Sequence, residues 1–174
     1  QTDIQINFSD LFNEEETDFF IPPSKKIIDN TIVLLSSLNK KYTNLPSPET
    51  SGDKSVEETI KRRRSERTFI SRPLSSKELS QILWAAQGIT YRDKRAAPSA
   101  GATYPIDLYV VIGSSSVTEI DTGLYHYIPE GHRIEFLKDL EEDLIYQLAE
   151  ASLFQMFIAD APISIVITGE YERT

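Results

Sequence analysis

The segment from Ser75 to Gly88 constrains the fold more than any other part of the sequence, because it carries the complete signature of one helix. Ser75 and Glu78 have the spacing of a capping box, in which each side chain satisfies a free backbone N–H of the first turn. Gly88 is a typical residue at a helix end. Between these signals, apolar residues recur at helical spacing, namely Leu79, Ile82, Leu83 and Ala86. The sequence therefore predicts an amphipathic helix whose apolar face covers another element.

Four further segments have the pattern of buried strands. Residues 106–112 (IDLYVVI) and 163–167 (ISIVI) are almost continuous apolar runs, which is typical of strands inside a layered core. Residues 123–128 and 133–137 flank a Pro-Glu-Gly-His connection, and this arrangement predicts a hairpin. Helices and strands do not alternate in a strict βαβ rhythm. The predicted fold class is therefore α+β, a layered sheet with flanking helices.

Two other helices are predicted, with less sharply marked ends. One opens with a capping box at Ser55 and Glu58 and continues along its stripe as far as Arg67. The other runs from 140 to 157, and its acidic start complements the helix dipole. The acidic residues are Glu141, Glu142 and Asp143. Residues 89–105 are predicted to form a loop.

The chain is expected to divide into an extension with a linker, residues 1–54, and an organised domain, residues 55–174. Residues 46–54 (PSPETSGDK) have the proline, glycine and small polar residues of a linker. Residues 1–24 are acidic and aromatic, which favours a solvated arm whose aromatic side chains dock on a neighbour. Residues 27–38 are apolar, and their pattern fits a helix or an edge strand equally well.

Composition excludes several classes of function. The net charge of −9 argues against nucleic acid or an anionic membrane surface as a partner. Without cysteine the chain has no disulfide, thiolate nucleophile or zinc ribbon, and the two histidines, His126 and His132, have no cysteines or nearby carboxylate pattern that would complete a metal site. No apolar run approaches the length of a membrane span. Any anion site must come from a local basic cluster.

Such a cluster lies at residues 61–67, where five of seven side chains are cationic, namely Lys61, Arg62, Arg63, Arg64 and Arg67. Guanidinium groups match phosphate oxygens with two parallel hydrogen bonds, and Ser65 adds a hydroxyl donor. On a helix, Arg63 and Arg67 share one face and converge on one group. The alternative interpretation is a basic last turn that only complements the helix dipole.

A second candidate site is the loop of residues 97–105 (APSAGATYP), in which small residues lie between two prolines. A stiff loop with little side-chain bulk lets a flat ligand approach the backbone closely. The alternative is an ordinary connection between a helix and a strand. We call this segment the proline-serine loop.

Four stretches, in this order and spacing, resemble the nitroreductase superfamily, and most closely its SagB-type dehydrogenase branch. They are RRRSERTF (62–69), PLSSKELSQILWAAQG (73–88), APSAGATYPIDLYVVI (97–112) and GLYHYIPEGHRIEFL (123–137). The resemblance covers residues 55–174 and does not extend to the first 50 or so residues.

The resemblance implies an α+β homodimer that binds one FMN at each subunit interface. The basic segment of such proteins grips the flavin phosphate and ribityl chain, which points here to Arg63, Arg64, Ser65 and Arg67. Their proline-serine loop reaches the flavin ring of the opposite subunit, which points here to Pro98, Ser99, Ala100, Gly101 and Ala102. No catalytic residue is assigned.

Two departures from the family pattern bear on function. Typical nitroreductases have asparagine where this chain has Ala102, although the SagB-type branch tolerates alanine. The family domain also continues well past Thr174, so the resemblance implies a chain truncated there, without the later part that completes the substrate pocket.

The expected activity is that of an FMN-dependent oxidoreductase in the cytoplasm, acting on a small-molecule or peptide substrate. The SagB-type resemblance implies oxidation of azoline rings to azoles in modified peptides. One alternative is a generic reductase of nitroaromatics or quinones that uses NAD(P)H. Another is a non-catalytic, truncated partner subunit.

Overall fold

The computed structural model describes residues 41–141 and 143–174. Three predictions lie outside the described residues: the acidic arm over 1–24, the helix or strand over 27–38, and the dipole role of Glu142.

A five-stranded antiparallel sheet forms the centre of the described fold. The strands are β1 (Tyr42–Asn44), β2 (Ile89–Tyr91), β3 (Lys94–Arg95), β4 (Ile106–Ile112), β5 (Gly123–Ile128), β6 (Arg133–Lys138) and β7 (Ile163–Gly169). The helices are α1 (Val56–Arg62), α2 (Ser76–Gln87), α3 (Leu144–Ala151) and α4 (Phe157–Asp160). The sheet has the order β1-β6-β5-β4-β7, and β2 and β3 form a separate ribbon. The predicted α+β fold class is confirmed.

Helix α2 forms as its sequence signature predicts. Both hydrogen bonds of the capping box at Ser75 and Glu78 are present, and Gly88 is the C-cap. A methyl group at Gly88 would collide with Trp84, so the helix can end here only on a residue without a side chain. Leu79 and Leu83 are fully buried. Their core partners on the sheet include Val110, Ile112 and Ile134, so α2 covers one face of the sheet.

The strand predictions are confirmed in type and position. Strand β4 has the predicted bounds and lies between β5 and β7, with Ile112 opposite Ile163 and Ile106 opposite Gly169. The predicted hairpin is β5 and β6, and β7 runs two residues further than expected.

Three predictions of local structure are wrong. Helix α1 ends at Arg62 rather than Arg67, because Arg63 leaves the helical region with φ −53° and ψ 123°. The helix predicted over 140–157 is divided into α3 and α4, since Leu153 and Phe154 have left-handed φ angles of 60° and 55°. The segment 89–105 is not all loop, because it contains the β2–β3 ribbon.

Part of the predicted extension belongs to the sheet. Strand β1 pairs with β6, and Leu45 is buried in the core. The following segment, 46–54, has no helix or strand. It is held against α2, since the Gln81 carboxamide accepts a hydrogen bond from the Glu49 N–H and donates one to the Glu49 carbonyl. The domain boundary after residue 54 remains a prediction.

A buried hydrogen-bond network centred on His132 joins this segment to α2 and the hairpin. Ser80 Oγ donates to the Pro46 carbonyl, at 2.5 Å, and lies 2.7 Å from His132 Nε2. The other ring nitrogen, Nδ1, lies 2.8 Å from the Tyr127 hydroxyl. Because Ser80 donates its only proton to Pro46, the network requires a proton on Nε2. In the neutral imidazole, Nδ1 then accepts a hydrogen bond from the Tyr127 hydroxyl.

The stability of the fold is expected to depend on pH through this histidine. Burial lowers the pKa of His132 below its ordinary value, so the unfolded chain takes up a proton that the folded chain excludes. The free energy of unfolding should therefore fall as the pH is lowered through about 6.5. Denaturant titrations between about pH 8 and 5.5 measure this slope. In His132→Gln this dependence of stability on pH should vanish, whereas the control His126→Gln should retain it. An unchanged pH dependence in His132→Gln would show that His132 is not its source.

Candidate functional site

The basic cluster lies where helix α1 ends and an irregular segment begins. Residues 63–70 contain no helix, turn or bend, so Arg63 and Arg67 do not share the helical face that the sequence suggested. Arg63, Arg64, Ser65 and Arg67 instead follow the helix end on a segment without regular secondary structure.

The cluster divides into engaged and available cations. Arg62 pairs with Glu58 at 2.9 Å, one turn earlier on α1. Arg64 donates to the carbonyls of Lys61 and Arg63 at 2.9 and 2.8 Å, so it satisfies free carbonyls at the helix end. For Arg64 the structure thus supports the helix-end alternative.

Two arginines remain available for an anion. Among the described residues, neither Arg63 nor Arg67 has a carboxylate partner within ion-pair distance. Both are exposed, as is Ser65 between them. The Arg67 guanidinium lies over the Phe157 ring at 5.3 Å from its centre, and this contact fixes its direction while leaving hydrogen-bond donors in the guanidinium plane. An exposed pair of unneutralised arginines in an acidic chain fits a doubly charged phosphate.

The proline-serine loop is compact and backbone-strained. Ser99 Oγ accepts a hydrogen bond from the Tyr104 N–H at 3.0 Å and lies 3.2 Å from Thr103 Oγ1. Gly101, Ala102 and Tyr104 all have left-handed φ angles, of 63°, 56° and 46°. Left-handed conformations cost non-glycine residues about 1–2 kcal/mol each. Such strain is typical of ligand-binding loops, where a set backbone shape matters more than local stability.

This loop forms one wall of a cavity of about 320 Å³, a size within the usual range for small-molecule sites. The cavity is lined by Gln87, Pro98, Ser99, Ala100, Thr103, Tyr104, Pro105, Ile106 and Thr174. Most of these side chains are small or apolar. Gly101 and Ala102, at the tip of the loop, do not line it.

A charged group anchors the far end of the loop. Arg173 donates to Asp107 at 2.6 Å and to the Tyr104 carbonyl at 3.2 Å, and it also pairs with Glu170. His126 Nε2 lies 3.5 Å from Asp107 on the neighbouring strand. Sequence reasoning did not select Asp107 or Arg173. The available signal was a carboxylate inside an otherwise apolar strand, which needs a cation nearby.

Among the described residues, no hydrogen bond, ion pair or ring contact joins the two predicted site segments. The loop leads directly into the start of β4 at Ile106, whereas Arg67 contacts α4, which leads into β7 opposite Ile112. The six steps from Ile106 to Ile112 span about 20 Å at the rise of a strand. The basic cluster and the loop therefore approach opposite ends of the central strand.

Within the described part of the chain, no group of three or more His, Asp or Glu side chains is arranged to hold a metal ion. That part also contains no helix that is long and apolar enough to cross a membrane.

Comparison with known proteins gives a consistent match. Residues 60–174 match the model of the nitroreductase family. A protein of Methanocaldococcus jannaschii that is named as a nitroreductase is 47% identical over 120 residues, which are 68% of this chain and 59% of that protein. Trifolitoxin-processing protein TfxB of Rhizobium leguminosarum bv. trifolii is 37% identical over 59 residues, which are 34% of this chain and 15% of TfxB.

A crystal structure from Ralstonia eutropha, also named as a nitroreductase, superposes with a TM-score of 0.58 at 30% identity. The superposition covers 76% of this chain and 57% of that one. The matched regions therefore span a little under three fifths of the length of the two relatives named as nitroreductases.

Proposed function

The chain belongs to the nitroreductase family, and from that premise we propose that it binds FMN as part of an oxidoreductase, at a site shared between two copies. The observation that carries the proposal is the pair Arg63 and Arg67, which have no carboxylate partner among the described residues of a chain with net charge −9. Ser65 lies between them as a hydroxyl donor. Together they would hold the phosphate, while Arg64 supports the helix end behind them.

The proline-serine loop would provide a close-packed wall for the flavin ring. Pro98, Ser99 and Ala100 line the cavity, and Gly101 and Ala102 hold the strained turn. The loop and the cluster approach opposite ends of β4, so one chain would offer its cluster to one flavin and its loop to another. This separation supports a homodimer with an FMN at each interface.

Bound FMN would supply the hydride chemistry, with the protein positioning and electrostatically tuning it. The chain's own residues would bind the phosphate, support the ring and exclude water from one side of it. A donor such as NAD(P)H would act in the cytoplasm, and we propose that compartment.

Two substrate classes remain in the proposal. The match to TfxB favours a role in the processing of a modified peptide, including azoline oxidation of the SagB type, because that relative is named for processing. The matches to proteins named as nitroreductases favour reduction of nitroaromatics or quinones.

The binding proposal is tested by titrating the purified protein with FMN and with riboflavin, which lacks the phosphate, and by looking for a yellow protein that releases FMN on denaturation. FMN should bind at least tenfold more tightly than riboflavin, since the contacts to phosphate are charge-assisted. A colourless protein that takes up neither compound would contradict the proposal and would favour a non-catalytic partner subunit.

Ala102 offers a test of the strained loop, because asparagine adopts the left-handed region more readily than other non-glycine residues. Ala102→Asn should keep the thermal stability, and its amide should strengthen FMN binding. Ala102→Val should lower the free energy of unfolding by about 1 kcal/mol or more, since a β-branched side chain at φ 56° is strongly strained. Thermal denaturation of both variants checks this, and equal stability of the two would refute the left-handed assignment.

A further inference from the structure

Gln87 is a buried polar residue whose carboxamide has no hydrogen-bond partner among residues 41–141 and 143–174. It is the last residue of α2 and only 5% exposed, because it follows Leu79 and Leu83 along the buried stripe of the helix. Its Oε1 is buried, and among the described residues it has no hydrogen-bond partner. Buried carboxamides in native proteins are almost always hydrogen-bonded. Since Gln87 lines the cavity beside the proline-serine loop, the expected partner is a ligand in that cavity.

The other polar groups around the cavity are already engaged. The hydroxyls of Ser99 and Thr103 contact each other and the loop backbone. The Tyr104 hydroxyl accepts from the Arg95 N–H at 3.2 Å, and Thr174 Oγ1 donates to the Tyr171 carbonyl. The two prolines of the wall have no N–H. The Gln87 carboxamide is therefore the side-chain group of this wall that offers both an unused donor and an unused acceptor.

A carboxamide presents its donor and its acceptor side by side, so it matches a ring edge that carries a carbonyl next to an N–H. We infer that Gln87 binds the pyrimidine edge of the flavin ring that the proline-serine loop supports, with Nε2 donating to a ring carbonyl and Oε1 accepting from the ring N3–H. This inference rests on the proposed FMN site and adds the residue that sets the orientation of the ring in it. Gln87 would thus determine specificity for a flavin over a flat ring without an imide edge.

The test combines a variant with a modified ligand. Gln87→Leu keeps the size of the side chain but removes both hydrogen-bonding atoms, and N3-methylated FMN removes the ring donor. We expect Gln87→Leu to raise the dissociation constant of FMN about tenfold, as for one or two lost hydrogen bonds. The same substitution should change the affinity for N3-methylated FMN far less, because in that complex the pairing is already broken.

Gln81→Leu is the matched control. Gln81 lies on the same helix, but its carboxamide both accepts from and donates to the Glu49 backbone, so its loss should leave FMN affinity unchanged. The melting temperature of Gln87→Leu separates ligand binding from folding, and it should not fall, since no hydrogen bond to another described residue is lost. If the wild-type protein binds FMN but Gln87→Leu binds both ligands as the wild type does, the inference is wrong and the FMN site stands. If the wild-type protein binds no FMN, both fail.

Discussion

Replacing Arg67 by alanine is expected to raise the dissociation constant of FMN by about one to two orders of magnitude, the effect of losing a charge-assisted bond worth about 1.5–3 kcal/mol. The affinity for riboflavin should change little, because the lost partner is the phosphate. Arg67 is exposed and its ring contact with Phe157 is at the surface of the described fold, so the variant should fold. Fluorescence titration with the two flavins measures both constants.

The matched control is Arg62→Ala, which removes the same charge five residues away from a side chain already paired with Glu58. Exposed ion pairs of this kind contribute little to the stability of the fold. Because the Arg62 side chain is already paired with Glu58, the FMN affinity of Arg62→Ala should differ from the wild-type value by less than about threefold. Equal losses for FMN and riboflavin in Arg67→Ala would assign Arg67 a structural role at Phe157. Unchanged FMN affinity would mean that the phosphate is held elsewhere.

Replacing Leu83 by alanine should destabilise the fold by about 2–5 kcal/mol, the usual range for removing a buried leucine side chain and leaving a cavity. Leu83 is completely buried where α2 packs on the sheet. In a domain of this size each kcal/mol corresponds to about 2–4 °C in melting temperature. A loss of stability this large is expected because the side chain of Leu83 lies between α2 and the face of the sheet that α2 covers.

Ile82 lies next to Leu83 on the same helix but is 41% exposed. Ile82→Ala should therefore lower the free energy of unfolding clearly less than Leu83→Ala does. Thermal denaturation of the two variants compares the faces of α2 directly. If Ile82→Ala were as destabilising as Leu83→Ala, the assignment of the buried face would be incorrect.

The sequence predicted those elements whose signals are local. The capping box at Ser75 and Glu78, with Gly88 at the other end, defines α2 within one stretch of chain. Strand β4 and the β5–β6 hairpin follow from apolar runs and a turn that the residues themselves specify.

The elements that were missed depend on conformations or pairings without a local signal. Arginine, serine and glutamate are all compatible with a helix, so nothing in the composition of residues 61–67 marks the end of α1 at Arg62. The left-handed backbone at Leu153 and Phe154, which separates α3 from α4, is rare for large side chains. Strand β1 pairs with β6, about 90 residues further along the chain. The three residues of β1 are too few to show a pattern that would predict such a non-local pairing.

The sequence predicted the two segments of the candidate site but not their geometry. The cluster and the loop were both identified, yet only the structure divides the cations into engaged and available ones. Gln87 was missed because a glutamine at a helix end usually faces solvent. The signal that could have found it is its spacing of four and eight residues from Leu83 and Leu79, which places it on the buried stripe.

A shared flavin site would combine the basic cluster of one chain with the proline-serine loop of another. A heterodimer purified with two different tags tests it, with Arg67→Ala in one chain and Ala100→Trp in the other. Ala100 is exposed and lines the cavity, so the tryptophan should block the ring without disturbing the core.

FMN titration of this heterodimer is the most direct measurement. If cluster and loop come from different chains, both defects fall in one site and the other site is intact. We then expect one FMN bound per pair of chains with wild-type affinity, while each homodimeric variant binds weakly at both sites. A heterodimer without any site of wild-type affinity would show that both segments serve the same chain's flavin and would contradict a site shared between two chains.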